Sequence, residues 1–252
     1  MPTYSAHPTA AILIIGNEIL SGRTQDTNIK FIAERLDKAG IKLLEVRVIP
    51  DDEEAIVESV NTLRANYTYV FTTGGIGTTH DDITAACIAK AFGVQLVEND
   101  EMLEILKGCH QERFNENRRR MALIPKGAVL LRNKLTVATG FNIDNVYCLA
   151  GMPTVMEASF VLLLPGLKTG VPFVSNTVTC NLREGDIAHA LTKIQQAHSS
   201  VEIGSYPFYR TPPDIGVSFV MHGADPYAVN AATDAVVAMV QQFNGTFTIV
   251  RF

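Results

Sequence analysis

No apolar stretch of this 252-residue chain reaches the roughly 18 residues that a membrane-spanning helix needs. The apolar run Ala10–Ile15 stops at Gly16-Asn17-Glu18, and no cationic segment precedes it. That is too short for a secretory leader. A soluble, cytoplasmic protein with no membrane partner is the expectation. Basic charge is also scarce: 21 Lys and Arg against 26 Asp and Glu leave a net charge of −5. Without a positive field, duplex nucleic acid is not an expected partner. Cysteine is sparse, and Cys87, Cys109, Cys148 and Cys180 form no C-x-x-C pair and no zinc-type spacing with histidine. Four reduced, mostly buried thiols are predicted. The P-loop and the G-x-G-x-x-G fingerprint are both missing, no serine or cysteine carries a nucleophile signature, and no internal repeat or low-complexity tract occurs.

What is present describes a well-filled globular chain. Hydrophobic residues make up 47% and charged ones 19%, against about 25% charged in an average soluble domain. The length suits one large domain, or one with a small companion. Ala10–Ile15 reads as a buried strand. A helix through Phe31, Ile32, Leu36 and Ala39 follows, stopping at Gly40, and then a strand over Lys42–Ile49. Asp51-Asp52-Glu53-Glu54 opens a helix with Ile56, Val60 and Leu63 on its inner face, its acids suited to the dipole. Tyr67–Thr72 is a third strand, leading through a glycine turn into a helix from about Asp82 to Phe92. Such alternation predicts a parallel sheet wrapped by helices, an α/β architecture. Asp100–Arg120 reads as one polar helical stretch. Short strands at Val129–Leu131 and Val146–Leu149 come next, then a helix from Pro153 to about Leu164. Leu164-Pro165-Gly166-Leu167-Lys168-Thr169-Gly170 has the punctuation of a boundary. Beyond it the order is β-α-β-β-α-β, the ferredoxin-like arrangement of a small α+β domain. The expected domains are therefore 1–170 and 171–252.

The glycine turn carries the chemistry. Gly74-Gly75-Ile76-Gly77-Thr78-Thr79-His80-Asp81-Asp82-Ile83-Thr84 lies between a buried strand and a helix, where an open α/β sheet binds ligands. Glycines let backbone N–H groups close on a ligand, and the following helix start favours an anion. A phosphate beside Asp81 and Asp82 would be repelled without an intervening cation, which points to Mg²⁺ or a similar hard ion. An aspartate capping the helix accounts for one of these acids but not for three glycines and two acids together. The second constellation is Gly16-Asn17-Glu18-Ile19-Leu20-Ser21-Gly22, with Asp26-Thr27-Asn28 ahead of the next helix. Glu18 is open to two readings: ligand contact, metal ligand or base on one side, a carboxylate tying its own loop on the other. For Asp26 and Asn28 an ordinary helix entry is the commoner meaning, and for Asp51 or Asp52 a helix cap. The run Arg118–Arg120, with Lys126, Arg132 and Lys134, suits phosphates, a partner chain, or the commoner solvated helix face. His80 is either a site residue or a polar turn residue.

These motifs together resemble the molybdopterin-binding domain superfamily, and within it the N-terminal part of the CinA (competence/damage-inducible protein A) family and the related domain of FAD synthases. Ala122-Leu123-Ile124-Pro125-Lys126-Gly127-Ala128, Gly140-Phe141, Leu149-Ala150-Gly151-Met152-Pro153 and Ile203-Gly204-Ser205-Tyr206-Pro207 extend the similarity over nearly the whole chain. The resemblance implies a three-layer α/β/α domain with a mostly parallel sheet. It implies a nucleotide or pterin ligand, and assembly as a dimer or trimer. Gly74, Gly75 and Gly77 match the phosphate loop, Asp82 the aspartate of D-x-T, and Glu18 the glutamate of G-N-E. Asp51 matches a further acid less securely. Three departures stand out. Thr78 replaces a usual proline, Ala138-Thr139-Gly140 replaces A-P-G, and Val155 replaces an acid common in CinA proteins. The chain also stops where those proteins continue into a nicotinamide-nucleotide deamidase domain, so that activity is not expected.

Two functions follow. In the first, Mg²⁺, Mn²⁺ or Co²⁺ on Asp82, with Asp81 or Glu18, supports hydrolysis of the diphosphate of ADP-ribose or FAD. Gly74, Gly75, Gly77, Thr78 and Thr79 would cradle the phosphates, with Asn17, Asp26, Asn28 and Asp51 around the ligand. In the second, the same pocket holds molybdopterin or a nucleotide without turnover, as in molybdenum cofactor synthesis. Thr78 and Val155 motivate that reading.

Overall fold

A computed structural model describes residues 7–132, 140–210 and 215–251. Lys134, Ala138 and Thr139, singled out above, lie outside the described residues. The chain forms two compact units, the larger holding most of residues 7–170 and the smaller holding Val171 onward together with Lys38–Gly40.

In the larger unit, β1 (Thr9–Ile15) is central, and Ala10 to Ile15 are all essentially inaccessible. A strand apolar on both faces must be covered on both. Parallel to it run β2 (Lys42–Ile49) and β3 (Tyr69–Thr73), and β8 (Val146–Leu149) lies parallel beside β3. The full order is β2-β1-β3-β8-β7-β6, where β7 (Gly140–Ile143) and β6 (Val129–Leu131) run antiparallel. The sheet is thus mixed, with its parallel part holding the first four positions.

One face packs Ala11, Leu13 and Ile15 against Ile56, Val60 and Leu63 of α3 (Glu53–Asn66) and Cys87, Ile88 and Ala91 of α4 (Thr84–Phe92). On the other, Phe71 meets Phe160 of α7 (Pro153–Leu163) edge-on, and Phe160 in turn meets Phe31 of α2 (Asn28–Lys38). These are the three layers.

Several sequence expectations are corrected. The third strand begins at Tyr69 rather than Tyr67, because the Tyr67 N–H still bonds Leu63 O as the cap of α3. Asn145 donates to the carbonyls of Arg64 and Tyr67, closing that helix end. The helix after the glycine turn starts at Thr84, not Asp82, since Asp82 is engaged in the turn itself. The stretch Asp100–Arg120 is not one helix. Asn99 caps α5 (Asp100–His110), Gln111 at φ 41 ends it, and Asn115 caps a separate α6 (Glu116–Arg119). Two short strands, β4 (Leu96–Glu98) and β5 (Leu123–Pro125), flank that region and pair antiparallel.

The smaller unit follows the expected order. β9 (Val174–Cys180), α8 (Glu184–Ala197), β10 (Glu202–Tyr209), β11 (Ile215–Gly223), α9 (Pro226–Gln242) and β12 (Phe247–Arg251) form an antiparallel sheet ordered β10-β11-β9-β12. Val178, Cys180, Val217, Phe219 and Met221 meet Ile187, Ala232 and Val236 in a one-sided core.

Cys87, Cys148 and Cys180 are buried and Cys109 is exposed, all as free thiols. Burial pushes the Cys148 thiol up to about 12 and the Cys87 thiol up to about 11. A thiol titration in native buffer should therefore count one fast group, and four after denaturant. The raised values keep these thiols protonated in the folded chain. The associated stability is fully present below the ordinary thiol value of 9.0 and is lost progressively as pH rises from there through the folded values of about 11 and about 12. Melting temperature should consequently fall across that alkaline window, and more steeply than in a Cys148→Ala variant.

Candidate functional site

The four parallel strands bring their carboxyl ends to one edge of the sheet. The chain leaves β1 for β2 on one side and crosses to β3 on the other, so the edge between β1 and β3 is a topological switch point. The loops after both strands meet there. Gly74 stands at φ 103, and a Cβ on it would lie 2.1 Å from Ile15 O. Only glycine permits this approach. A Cβ on Gly75 would strike Thr84 Oγ1 at 2.2 Å. Thr84, fully buried, holds the turn from beneath: its hydroxyl donates to Gly74 O at 3.1 Å and its N–H to Gly75 O at 3.0 Å.

Asp82 organises the upper part of the turn. Oδ1 accepts from the Gly77 N–H at 2.7 Å, while Oδ2 accepts from the Thr79 N–H at 2.7 Å and the Thr79 hydroxyl at 2.6 Å. Gly77 is needed because a Cβ there would sit 2.7 Å from that carboxylate. The N–H groups of Gly75, Ile76 and Thr78 make no hydrogen bond among the described residues. N–H groups left open on a curved backbone are available to an anion or to water. Asp81 and His80 are exposed, with His80 Nδ1 4.0 Å from Asp81 Oδ1. The Thr79 side chain and the Asp81 N–H hold the Asp81 carboxyl below the usual carboxylate range, so it is ionised at neutral pH.

The neighbouring loop forms a short helix, α1 (Asn17–Leu20), with Asn17 and Glu18 exposed. Asp51 Oδ2 accepts from the Asn17 N–H at 2.9 Å, which ties the ends of β1 and β2 together. Glu18 folds back on its own loop, and a Cβ on Gly16 would lie 2.6 Å from its Oε1. Asp26 accepts from the Ile29 N–H at 2.9 Å as a helix-entry cap, and Asp52 caps α3 through Ala55 N–H at 2.9 Å. Asn28 is buried, and its amide donates to Gly151 O at 2.9 Å, while its Oδ1 has no partner. Gly151 in turn approaches Gly74: a Cβ on it would lie 3.3 Å from Gly74 Cα.

Two residues stand at this turn or its cavity that the sequence did not place there. Thr84 was visible within D-D-x-T but not as the anchor of the turn. Arg120, grouped above with a basic run, lines a cavity of about 100 Å³ together with Gly75, Gly77 and Asp82. No group of three or more His, Cys, Asp or Glu among the described residues could hold a metal ion by itself. Asp81 and the remaining lone pairs of Asp82 fit an ion that takes its other ligands from substrate and water, as Mg²⁺ commonly does.

A protein of Archaeoglobus fulgidus is 36% identical over 196 residues, covering 78% of this chain and 84% of its own. A probable FAD synthase of Caenorhabditis elegans is 33% identical, covering 82% of this chain but 45% of its own length, so the chain spans under half of that relative. The crystal structure of CinA from Thermoplasma acidophilum, of unknown function, aligns with TM-score 0.60 at 30% identity, over 63% of this chain and 97% of that one. The FAD synthase middle domain matches residues 172–244. The probable molybdopterin binding domain matches residues 11–169, well over half the chain, and the chain belongs to that family.

Proposed function

We propose that the chain binds a dinucleotide-like diphosphate of the FAD or ADP-ribose type at the glycine turn and hydrolyses its pyrophosphate bond with a divalent ion. The observation that carries this reading is the trio of unpartnered N–H groups at Gly75, Ile76 and Thr78, set at the switch point beside Asp81 and Asp82. The relation to a probable FAD synthase supports the ligand class.

The N–H groups donate to phosphate oxygens, where charge develops as the anhydride breaks. They need no rearrangement, because Thr84 and Asp82 already hold the backbone in place. Asp81, with Asp82, would hold Mg²⁺, Mn²⁺ or Co²⁺; a bound ion offsets phosphate charge and acidifies water. Water adds to phosphorus, the P–O–P bond opens, and FAD yields AMP and FMN, or ADP-ribose yields AMP and ribose 5-phosphate. Glu18, exposed on the adjoining loop, is the acid available to take the proton of the water.

A second reading, a molybdopterin- or nucleotide-binding protein without turnover, has its own support. Val155 is 7% exposed within α7 and offers no carboxylate where CinA proteins commonly carry one. The test is AMP release from FAD and ADP-ribose, with and without Mg²⁺, Mn²⁺ and Co²⁺. Metal-dependent release is expected. Folded protein that releases no AMP from either would leave only the binding reading, with molybdopterin the next ligand to try.

A further inference from the structure

Three consecutive arginines end the α6 region, and two have partners. Arg118 donates to Arg113 O, and Arg119 pairs with Glu98 and, at 3.7 Å, with Glu116. The guanidinium of Arg120 makes no hydrogen bond or ion pair among the described residues. It lines the same cavity as Gly75, Gly77 and Asp82, whose other walls include Ile76, Ile83, Leu123, Ile124 and Phe141. Among the described residues the cavity wall therefore holds one cation without a partner, the Asp82 carboxylate, a strip of glycine backbone and an apolar remainder.

We propose that Arg120 is a phosphate-binding residue of this site, closing over a diphosphate from the side opposite the glycine backbone. This rests on the diphosphate reading above and deepens it. An anion brought up to Gly75 and Gly77 meets the Asp82 carboxylate, which lines the same cavity and is held there by the Gly77 and Thr79 N–H groups. A guanidinium at the cavity wall offsets that repulsion, and its fork geometry suits phosphate oxygens. Its place is set by local structure, because Asn115 caps α6 and the chain then makes a 3₁₀ turn over Arg120–Ala122 into β5. Ala122 is buried, and β5 pairs with β4, so the turn that presents Arg120 is anchored on its C-terminal side. The apolar walls receive an uncharged part of the same ligand.

The experiment is calorimetric titration of the full chain with FAD and with riboflavin, which lacks the diphosphate, for wild type, Arg120→Met and Arg120→Lys. In the absence of metal, Arg120→Met should weaken FAD binding by about 10- to 100-fold, the size of a lost charge-assisted hydrogen bond. Riboflavin binding should be unchanged, Arg120→Lys should recover part of the loss, and the salt dependence of FAD binding should flatten in Arg120→Met. Equal FAD affinity in wild type and Arg120→Met overturns this inference and leaves the proposed function standing. Parallel losses for FAD and riboflavin overturn it too, because they mark a structural role. A wild-type chain that neither binds nor hydrolyses FAD or ADP-ribose overturns both.

Discussion

Replacing Gly74 with alanine should cost more stability than any other single methyl addition around the site, above about 4 kcal/mol, and remove most soluble protein. Two independent terms act. The residue stands at φ 103, where an L side chain is strained, and the new methyl would lie 2.1 Å from Ile15 O. That oxygen belongs to the central strand, flanked by partners on both sides, so it cannot retreat without moving the sheet. Gly93 supplies the control. It has φ 65 as the cap of α4, but nothing lies within 4 Å of a Cβ there. Gly93→Ala should cost only the left-handed penalty, about 1–2 kcal/mol. Urea unfolding of the two variants measures the difference, and equal losses would show that the approach of Gly74 to Ile15 contributes nothing.

Asp82→Asn should leave the fold cooperative but lower diphosphate affinity or turnover by at least about 100-fold, in the range seen when one stabilising donor is lost. Both carboxylate oxygens accept backbone N–H groups, from Gly77 and from Thr79. An amide in either orientation turns an NH₂ toward one of them, so the turn must reshape. Two roles for Asp82 separate cleanly. If it only held a metal, FAD binding measured in EDTA would be unaffected by the substitution. As the organiser of the turn, it should weaken metal-free binding as well.

Much of the molecule could be read in advance, and the reason is periodicity. Lys42–Ile49, Val129–Leu131, Val146–Leu149 and Val174–Cys180 are strands at the expected limits, because their apolar patterns end at turn residues. The α3 start was legible for the same reason as its acids: Asp52 caps and Glu53 and Glu54 face the dipole. What escaped was short or depended on distant partners. β4 and β5 have three residues each and exist through each other, 27 positions apart at the pair Val97↔Ile124. β7 begins at Gly140, where a Cβ would meet Cys148 O at 2.0 Å, a requirement set by its neighbouring strand. At the site, the residue types were legible and their roles were not. Asp26 caps its helix, the commoner of its two readings, but Asp51 turned out to join two loops and Asp82 to serve the backbone beneath the proposed ligand. None of these could be separated from ligand contact by spacing alone.

The glycine turn has one more consequence. On the proposed reading, a cradle made of main-chain N–H groups would grip any phosphate alike, and few of its side chains offer a substitution that would make it discriminate. On that reading, selectivity then resides in the surrounding walls, where Leu96, Met121 and Leu123 are partly exposed and stand outside the six-stranded sheet that carries the buried Ile15. Grip and choice are assigned to different parts of the chain. Exchanging those wall residues should redirect the chain among phosphate-bearing molecules while leaving the sheet beneath unaware of the change.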